Sequence, residues 1–202
     1  MKVNSLVGIT TEEVIKVIVK TNHVKSLHLR EYNYPALTPG CEPAQGDKLT
    51  KISANEFLKR GGIQTLIDKL EPNRNVGIES LVSVKGKYKH IPMMDMSVKK
   101  STKTKNELIS TWDKTIIPRF GKGVLIETYN SYHFLGTEKL LTNDEFRDFL
   151  SWSLLCTKNK GGNFKTYVDT QYVAYCQLKG SCCLRISAYP GSLIPKTIHE
   201  FK

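Results

Sequence analysis

A carboxylate interrupts an apolar stretch near the middle of the chain, in the run 91–97, IPMMDMS. On a strand, residues two apart project to the same side, so Ser97 is expected beside Asp95. A carboxylate inside a sheet needs a partner, because burying it alone costs several kcal/mol. An apolar strand that ends in Asp is therefore typical of a divalent-metal ligand at the end of a sheet. The alternative is an Asp at the sheet edge that caps a loop.

A hydroxyl and an imidazole follow in the run Ser131-Tyr132-His133. If these residues form one strand, Ser131 and His133 share a face and suit phosphate binding. The alternative is a histidine with a structural role beside aromatic residues.

An acid and an arginine come later, in Val168-Asp169 and in the run 184–192, LRISAYPGS. On a strand, Arg185 and Ser187 would form a polar face prepared for an anion, opposite an apolar face. The alternative is an Arg that pairs with a nearby carboxylate.

In this order, these motifs resemble those of the archaeo-eukaryotic primase superfamily: an acid-x-acid at a strand end, Ser-x-His, a hydrophobic-Asp, and Leu-Arg-x-Pro-Gly-Ser. The resemblance covers roughly residues 76–196. It implies an α/β (α+β) primase-type catalytic domain, with a mixed or antiparallel sheet flanked by helices. It further implies template-directed nucleotidyl transfer from nucleoside triphosphates, with Asp95 and Asp169 holding Mg²⁺ or Mn²⁺ and His133 contacting the phosphates. Ser97, Ser131 and Arg185 are expected to bind nucleotide as well.

The chain departs from the superfamily pattern at two points. Ser97 occupies the place of the second acid in the first motif, and Glu127 or Asp113 is a candidate to substitute for it. The zinc-binding insertion of cellular primases is missing, since no Cys/His cluster exists. Two functions follow: a minimal primase-like enzyme, or an inactive module that binds nucleotide or nucleic acid within a larger protein complex.

The net charge is +11, from 30 Lys and Arg against 19 Asp and Glu. Such an excess favours polyanions, although a basic surface can also serve solubility. The segment 99–105 is predicted to be flexible and to contact DNA or RNA through its four lysines, Lys99, Lys100, Lys103 and Lys105; a solvated loop is the alternative. A membrane is not an expected partner, because no basic amphipathic helix with an aromatic apolar face stands out.

The five cysteines, at 41, 156, 176, 182 and 183, show no spacing typical of a zinc site or a disulfide framework. The adjacent pair Cys182 and Cys183 lies in an apolar stretch and is predicted to lie in the core. No apolar run reaches the roughly 18 residues of a membrane helix, and no export signal stands at the N-terminus. We therefore expect a cytoplasmic protein.

Periodicity and turn residues predict the elements that position these motifs. We expect a helical and loop region at 1–75 that packs on a primase-like domain at 76–202, the two forming one globular unit. The expected helices lie at 10–20, at 55–70, between Lys105 and Pro118, and from Thr142 onward. The expected loop lies at 33–50, the hairpin at 76–96, and single strands at 123–134 and 182–188. After Asp169, helix and strand both remain open.

Overall fold

A computed structural model describes residues 5–33, 47–59, 74–160, 163–187 and 194–202. The fold is α+β, as predicted. Within these ranges the helices are α1 (Thr11–Thr21), α2 (Ala54–Leu58), α3 (Thr102–Thr115), α4 (Ile117–Phe120), α5 (Asn143–Leu154) and α6 (Thr170–Lys179). The strands are β1 (Ser26–Asn33), β2 (Lys48–Ser53), β3 (Arg74–Val84), β4 (Lys87–His90), β5 (Met93–Asp95), β6 (Gly123–Glu127), β7 (Tyr132–Gly136), β8 (Thr157–Lys160), β9 (Asn163–Thr166), β10 (Cys183–Arg185) and β11 (Lys196–Phe201).

The strands form two larger sheets and one separate hairpin. The first sheet has the order β10-β3-β1-β2, and β4 also pairs with β3. The second has the order β11-β6-β7-β5, and β8 pairs only with β9. Each of these strand pairs is antiparallel. β10 of the first sheet packs next to β5 of the second, so the two sheets meet near the ends of these strands.

The predicted starts of two helices are confirmed by their caps. Thr10 and Glu13 form a capping box at α1, and Thr142 and Glu145 form one at α5. In each box the hydroxyl accepts a bond from the backbone of the Glu, and the Glu carboxylate accepts one from the backbone of the cap residue. These bonds satisfy N–H groups that the first helical turn leaves unpaired.

The structure corrects the predicted flexible segment at 99–105. The side chain of Ser101 accepts a bond from the Thr104 backbone N–H and caps α3, so that Lys103 and Lys105 lie on a helix. Because Ser is a strong N-cap residue, the helix begins earlier than the lysine-rich sequence indicated.

The predicted loop at 33–50 is also corrected at both of its ends. β1 extends to Asn33 and β2 begins at Lys48; residues 34–46 between them lie outside the described part of the chain. The two strands pair along the register from Ser26 with Ser53 to Glu31 with Lys48. The region before residue 75 thus contributes strands to the sheet, in addition to the predicted helix at its N-terminal end.

The hairpin at 76–96 is confirmed in its first part, where Lys85 and Gly86 join β3 to β4 with positive φ angles of 48° and 76°. β5 leaves this hairpin and joins the second sheet. The single strand predicted at 123–134 is instead a hairpin, in which β6 and β7 are joined by the turn at 128–131. The open segment after Asp169 is a helix, α6.

Two further sequence predictions fall partly on residues outside the described ranges: the later part of the helix at 55–70, and residues 188–192 of the last motif. α2 confirms the beginning of that helix. β10 confirms the centre of the predicted strand at 182–188.

The core lies between the sheets and their helices, and includes Trp112, Phe134, Phe149 and Phe201, none more than 1% exposed. Cys182 is buried as predicted, whereas Cys183 is only half-buried; Cys156 and Cys176 are also buried. None of the helices in the described part of the chain is both long enough and apolar enough to span a membrane.

Glu79 is the centre of a buried ion network that joins β1, β3 and α6. Its Oε1 accepts bonds from Arg30 Nε at 2.5 Å and Lys179 Nζ at 2.7 Å, and its Oε2 accepts one from the Ser181 hydroxyl at 2.8 Å. Arg30 also donates to Asp47 at 3.1 Å. Burial raises the pKa of Glu79, but the charges and hydrogen bonds of Lys179 and Arg30 outweigh it, and the pKa lies below its ordinary value of 4.5.

Replacement of Glu79 by Gln is expected to destabilise the fold by about 3 kcal/mol at neutral pH, because it removes the counterion of half-buried Lys179 and leaves buried Arg30 with Asp47 alone. The stabilising effect of the lowered pKa is complete above the ordinary value of 4.5 and declines as the pH falls toward the folded-state value. The loss of stability caused by Glu79→Gln should therefore be smaller at acidic pH. Urea unfolding of both proteins at a pH above 4.5 and at a pH well below it measures this difference.

The matched control is Asp148→Asn, which removes one carboxylate from an exposed position on α5. An equal loss of stability in the two variants would contradict a specific role for the Glu79 network.

Candidate functional site

Asp95 and His133 lie side by side because β5 pairs with β7. In this antiparallel register Asp95 stands directly opposite His133, and such residues place their side chains on the same face. His133 Nε2 lies 3.5 Å from Asp95 Oδ1. The Asp95 side chain is 35% exposed and that of His133 is 9% exposed, so solvent reaches the acid more easily than the imidazole.

Asp169 is brought to the same place by main-chain bonds. Met96 and Val168 form an isolated antiparallel bridge, and the Asp169 N–H donates to the Asp95 carbonyl at 3.0 Å. The Asp169 carboxylate also caps α6 by accepting bonds from the N–H groups of Gln171 at 2.9 Å and Tyr172 at 3.1 Å. The structure thus brings together the three residues that the sequence singled out as catalytic.

The Asp169 carboxylate affects the ionisation of Asp95. Burial and then repulsion by Asp169 raise the pKa of Asp95 to about 7, opposed by a hydrogen bond from the Met96 backbone and by the positive charge of Arg185. Two nearby acids with one raised pKa are typical of sites that bind a cation or move a proton.

His133 is neutral at physiological pH. Burial lowers the pKa of its imidazole to about 3, and the positive charge of Arg185 adds to this effect. The contact with Asp95 is therefore not an ion pair at pH 7. The other ring nitrogen, Nδ1, is buried without a hydrogen-bonding partner in the described part of the chain. An imidazole with an unused nitrogen has the capacity to bind a ligand oxygen.

Arg185 reaches the site from β10, close enough to Asp95 and His133 to affect the pKa of both. β10 approaches β3 closely, with Arg185 opposite Gly77. A Cβ at Gly77 would collide with the Cys183 sulfur, so the glycine permits this approach.

The predicted polar face of Arg185 and Ser187 is corrected. Ser187 is buried, and its hydroxyl bonds to the backbone of Val76, accepting from the N–H at 3.1 Å. It therefore stabilises the sheet.

The two other predicted serines bond to the backbone. The Ser97 hydroxyl donates to the Val168 carbonyl at 3.1 Å, and its N–H donates to the Tyr167 carbonyl at 3.0 Å. Ser131 lies in the turn before β7, where its hydroxyl donates to the Met96 carbonyl. The prediction that Ser131 and His133 share one strand face is therefore wrong, because the chain reverses at 128–131. Both serines support the backbone around Asp95.

The basic segment lies against the same strands. The Tyr132 hydroxyl contacts the backbone of Ser101, 3.3 Å from both its N–H and its carbonyl oxygen. Lys100 pairs with Glu127 at 3.2 Å, whereas Lys99 and Lys103 are exposed. Tyr132 directly precedes His133 in β7, so the lysine-rich segment is fixed beside the site.

Neither predicted substitute acid is directed to Asp95. The Glu127 carboxylate bonds to Lys100, and Asp113 is exposed on α3. Among the described residues, no group of three or more His, Cys, Asp and Glu side chains is arranged to hold a metal ion. The site therefore offers two carboxylates, a donor set that fits Mg²⁺ or Mn²⁺ only if substrate phosphates complete the coordination.

Tyr172 is a site neighbour that the sequence analysis missed. It is buried on α6, and burial, then two neighbouring cysteines, then Asp95 raise the pKa of its hydroxyl. Its position three residues after Asp169, on the inner face of the first turn of α6, is the signal that could have identified it.

A family model described as "Archaeo-eukaryotic primase 1D-like" matches residues 55–197, which is more than half of the chain. The chain belongs to this primase-like family. The match contains Asp95, His133, Asp169 and Arg185, and it confirms the resemblance found at 76–196 while extending it toward the N-terminus. No curated protein and no solved structure matched the chain.

Replacement of Asp169 by Asn is expected to lower the pKa of Asp95 from about 7, because a negative neighbour that disfavours the ionised form of Asp95 is removed. Asn is as good a helix N-cap as Asp, so α6 keeps its start. Carboxyl ¹³C NMR titration of Asp95 measures the shift, with Asp148→Asn as control. An unchanged Asp95 pKa in Asp169→Asn would show that the two acids are not coupled.

Proposed function

We propose that this primase-like protein is a nucleotidyltransferase that binds a nucleoside triphosphate and one divalent cation at Asp95, Asp169 and His133. The observation that carries the proposal is the main-chain bond from Asp169 to Asp95, because it holds two acids from distant parts of the chain at one place. The family match supports this type of reaction, and the geometry supports the choice of residues.

Asp95 and Asp169 would hold the cation, Mg²⁺ or Mn²⁺. Mg²⁺ is often bound by one or two carboxylates together with substrate phosphates, which is the donor set that two acids and a triphosphate provide. When bound, such an ion offsets the charge that develops on the phosphoryl oxygens during transfer. The repulsion between the two acids favours cation binding, because the cation relieves it.

His133 and Arg185 would bind and orient the phosphates. A neutral imidazole can donate one hydrogen bond, and Nε2, which lies 3.5 Å from Asp95, is the nitrogen of His133 that faces the proposed cation and its phosphates. The planar guanidinium of an Arg suits phosphate oxygens and carries a positive charge at every physiological pH. Lys99, Lys100, Lys103 and Lys105 would contact the backbone of a DNA or RNA template.

Nucleotide incorporation tests the proposal. We expect the wild type to extend primed or single-stranded templates with labelled NTPs or dNTPs in the presence of Mg²⁺ or Mn²⁺. Asp95→Asn should lower the rate at least about 100-fold, because it removes a charged cation ligand while keeping the shape of the side chain.

Asp148→Asn is the matched control and should keep the wild-type rate. Metal-dependent extension that survives in Asp95→Asn would contradict the proposed site.

A second candidate function is a binding module without catalysis, and the state of Ser97 favours it. Its hydroxyl donates to the Val168 carbonyl, where the superfamily pattern has a second acid. Such a module would bind nucleotide or nucleic acid within a larger complex and would synthesise nothing.

Under the second candidate function the wild type incorporates no nucleotide. Ser97→Asp should then make the protein incorporate nucleotides and should tighten Mn²⁺ binding, since it adds a carboxylate on the same side of the chain as Asp95. Ser97→Asn is the control of equal size without charge. Mn²⁺ electron paramagnetic resonance and the incorporation assay measure the two effects. Equal Mn²⁺ affinity in both variants would show that position 97 does not face the cation.

A further inference from the structure

The hairpin of β8 and β9 displays an aromatic side chain that the fold does not use. Phe164 is 75% exposed. The hairpin forms its own two-stranded sheet and pairs with neither of the larger sheets. An exposed Phe on a separate hairpin contributes nothing to the core, and exposed aromatic rings are the surfaces on which single-stranded nucleic acids stack their bases.

The hairpin is nevertheless fixed in place. Lys158 donates to Glu107 of α3 at 2.7 Å, and Tyr167, which follows the hairpin, also bonds to Glu107. The Tyr167 N–H donates to the Cys156 carbonyl at 3.0 Å, which closes the base of the hairpin. Phe164 is therefore presented on an anchored element.

The surroundings of the hairpin are positively charged and lie close to the acids. Lys165, which follows Phe164, is exposed on the other face of the hairpin opposite Lys158, and Lys103 of α3 lies close enough to affect the pKa of Glu107. Phe164 is five residues before Asp169, a distance of at most about 18 Å along an extended chain. A polymer bound at the proposed site could reach the hairpin within a few nucleotides.

We propose that the β8–β9 hairpin binds single-stranded nucleic acid, with Phe164 stacking on a base and Lys165 contacting the backbone. Aromatic stacking of bases together with basic residues that contact the backbone is the combination that binds single strands without sequence preference. A protein partner would match the apolar ring but would gain nothing from the surrounding lysines, and the net charge of +11 favours a polyanion. The inference rests on the proposed function, since it names the polymer that extends from the site.

Fluorescence anisotropy with labelled oligo-dT and oligo-U of about 20 nucleotides, longer than the usual site sizes, tests the inference. Phe164→Ala should weaken binding at least about fivefold, the lower limit for loss of one stacked base. Its salt dependence should stay that of the wild type, because no charge is removed. Lys165→Gln should instead reduce the slope of log affinity against log salt by about 0.7.

Two further variants test whether the loss of binding is specific to the aromatic ring at position 164. Phe164→Trp keeps a stacking surface and should bind like the wild type. Tyr88→Ala removes another exposed aromatic residue, 57% exposed between Lys87 and Lys89 on β4, and should leave binding unchanged.

The outcomes separate this inference from the proposed function. If Phe164→Ala binds as tightly as the wild type, or if Tyr88→Ala loses as much affinity as Phe164→Ala, the role of the hairpin is overturned. The proposed nucleotidyltransferase activity is then unaffected. Hairpin-dependent binding without any nucleotide incorporation supports the hairpin and overturns the enzyme. Failure of the wild type to bind either oligonucleotide overturns the hairpin inference.

Discussion

The candidate site depends on one short piece of backbone pairing, the bridge between Met96 and Val168 with the adjoining bond from Asp169 to Asp95. It joins the end of β5 to the start of α6, and these segments are otherwise far apart in the sequence. Because each acid is placed by main-chain bonds, neither depends on a flexible side chain to reach the other. Asp169 gains a second fixed point as the N-cap of α6. A pair of acids held in this way keeps its repulsion until a cation or a proton relieves it.

The surrounding structure maintains this pair. β7 places His133 opposite Asp95, and burial keeps the imidazole neutral. The Glu79 network holds the C-terminal end of α6 to β1 and β3 through Lys179 and Arg30, so the helix that carries Asp169 is fixed at both ends. The network contains paired buried charges, which are costly to separate, and it therefore resists displacement of α6.

The sequence singled out side chains that the structure brings together, but it was less accurate about the strands that carry them. Asp95 and Asp169 were singled out because an acid beside apolar residues is conspicuous, and the capping boxes were predicted because their signal is local. The turn at 128–131 was missed since aromatic and β-branched residues on both sides suggest one strand. β8 and β9 were missed because their Lys and Asn residues lack an apolar alternation. The burial of Glu79 depends on Arg30 and Lys179, 49 and 100 residues away, and no local pattern shows such partners.

The central claim is that Asp95 and Asp169 jointly hold a cation together with nucleotide phosphates. Anomalous diffraction from crystals grown with Mn²⁺ and a non-hydrolysable nucleoside triphosphate tests it most directly. The account predicts a Mn²⁺ peak in contact with both carboxylates and with phosphate oxygens, with His133 beside the phosphates. A nucleotide bound elsewhere, or Mn²⁺ bound without contact to either acid, would contradict it.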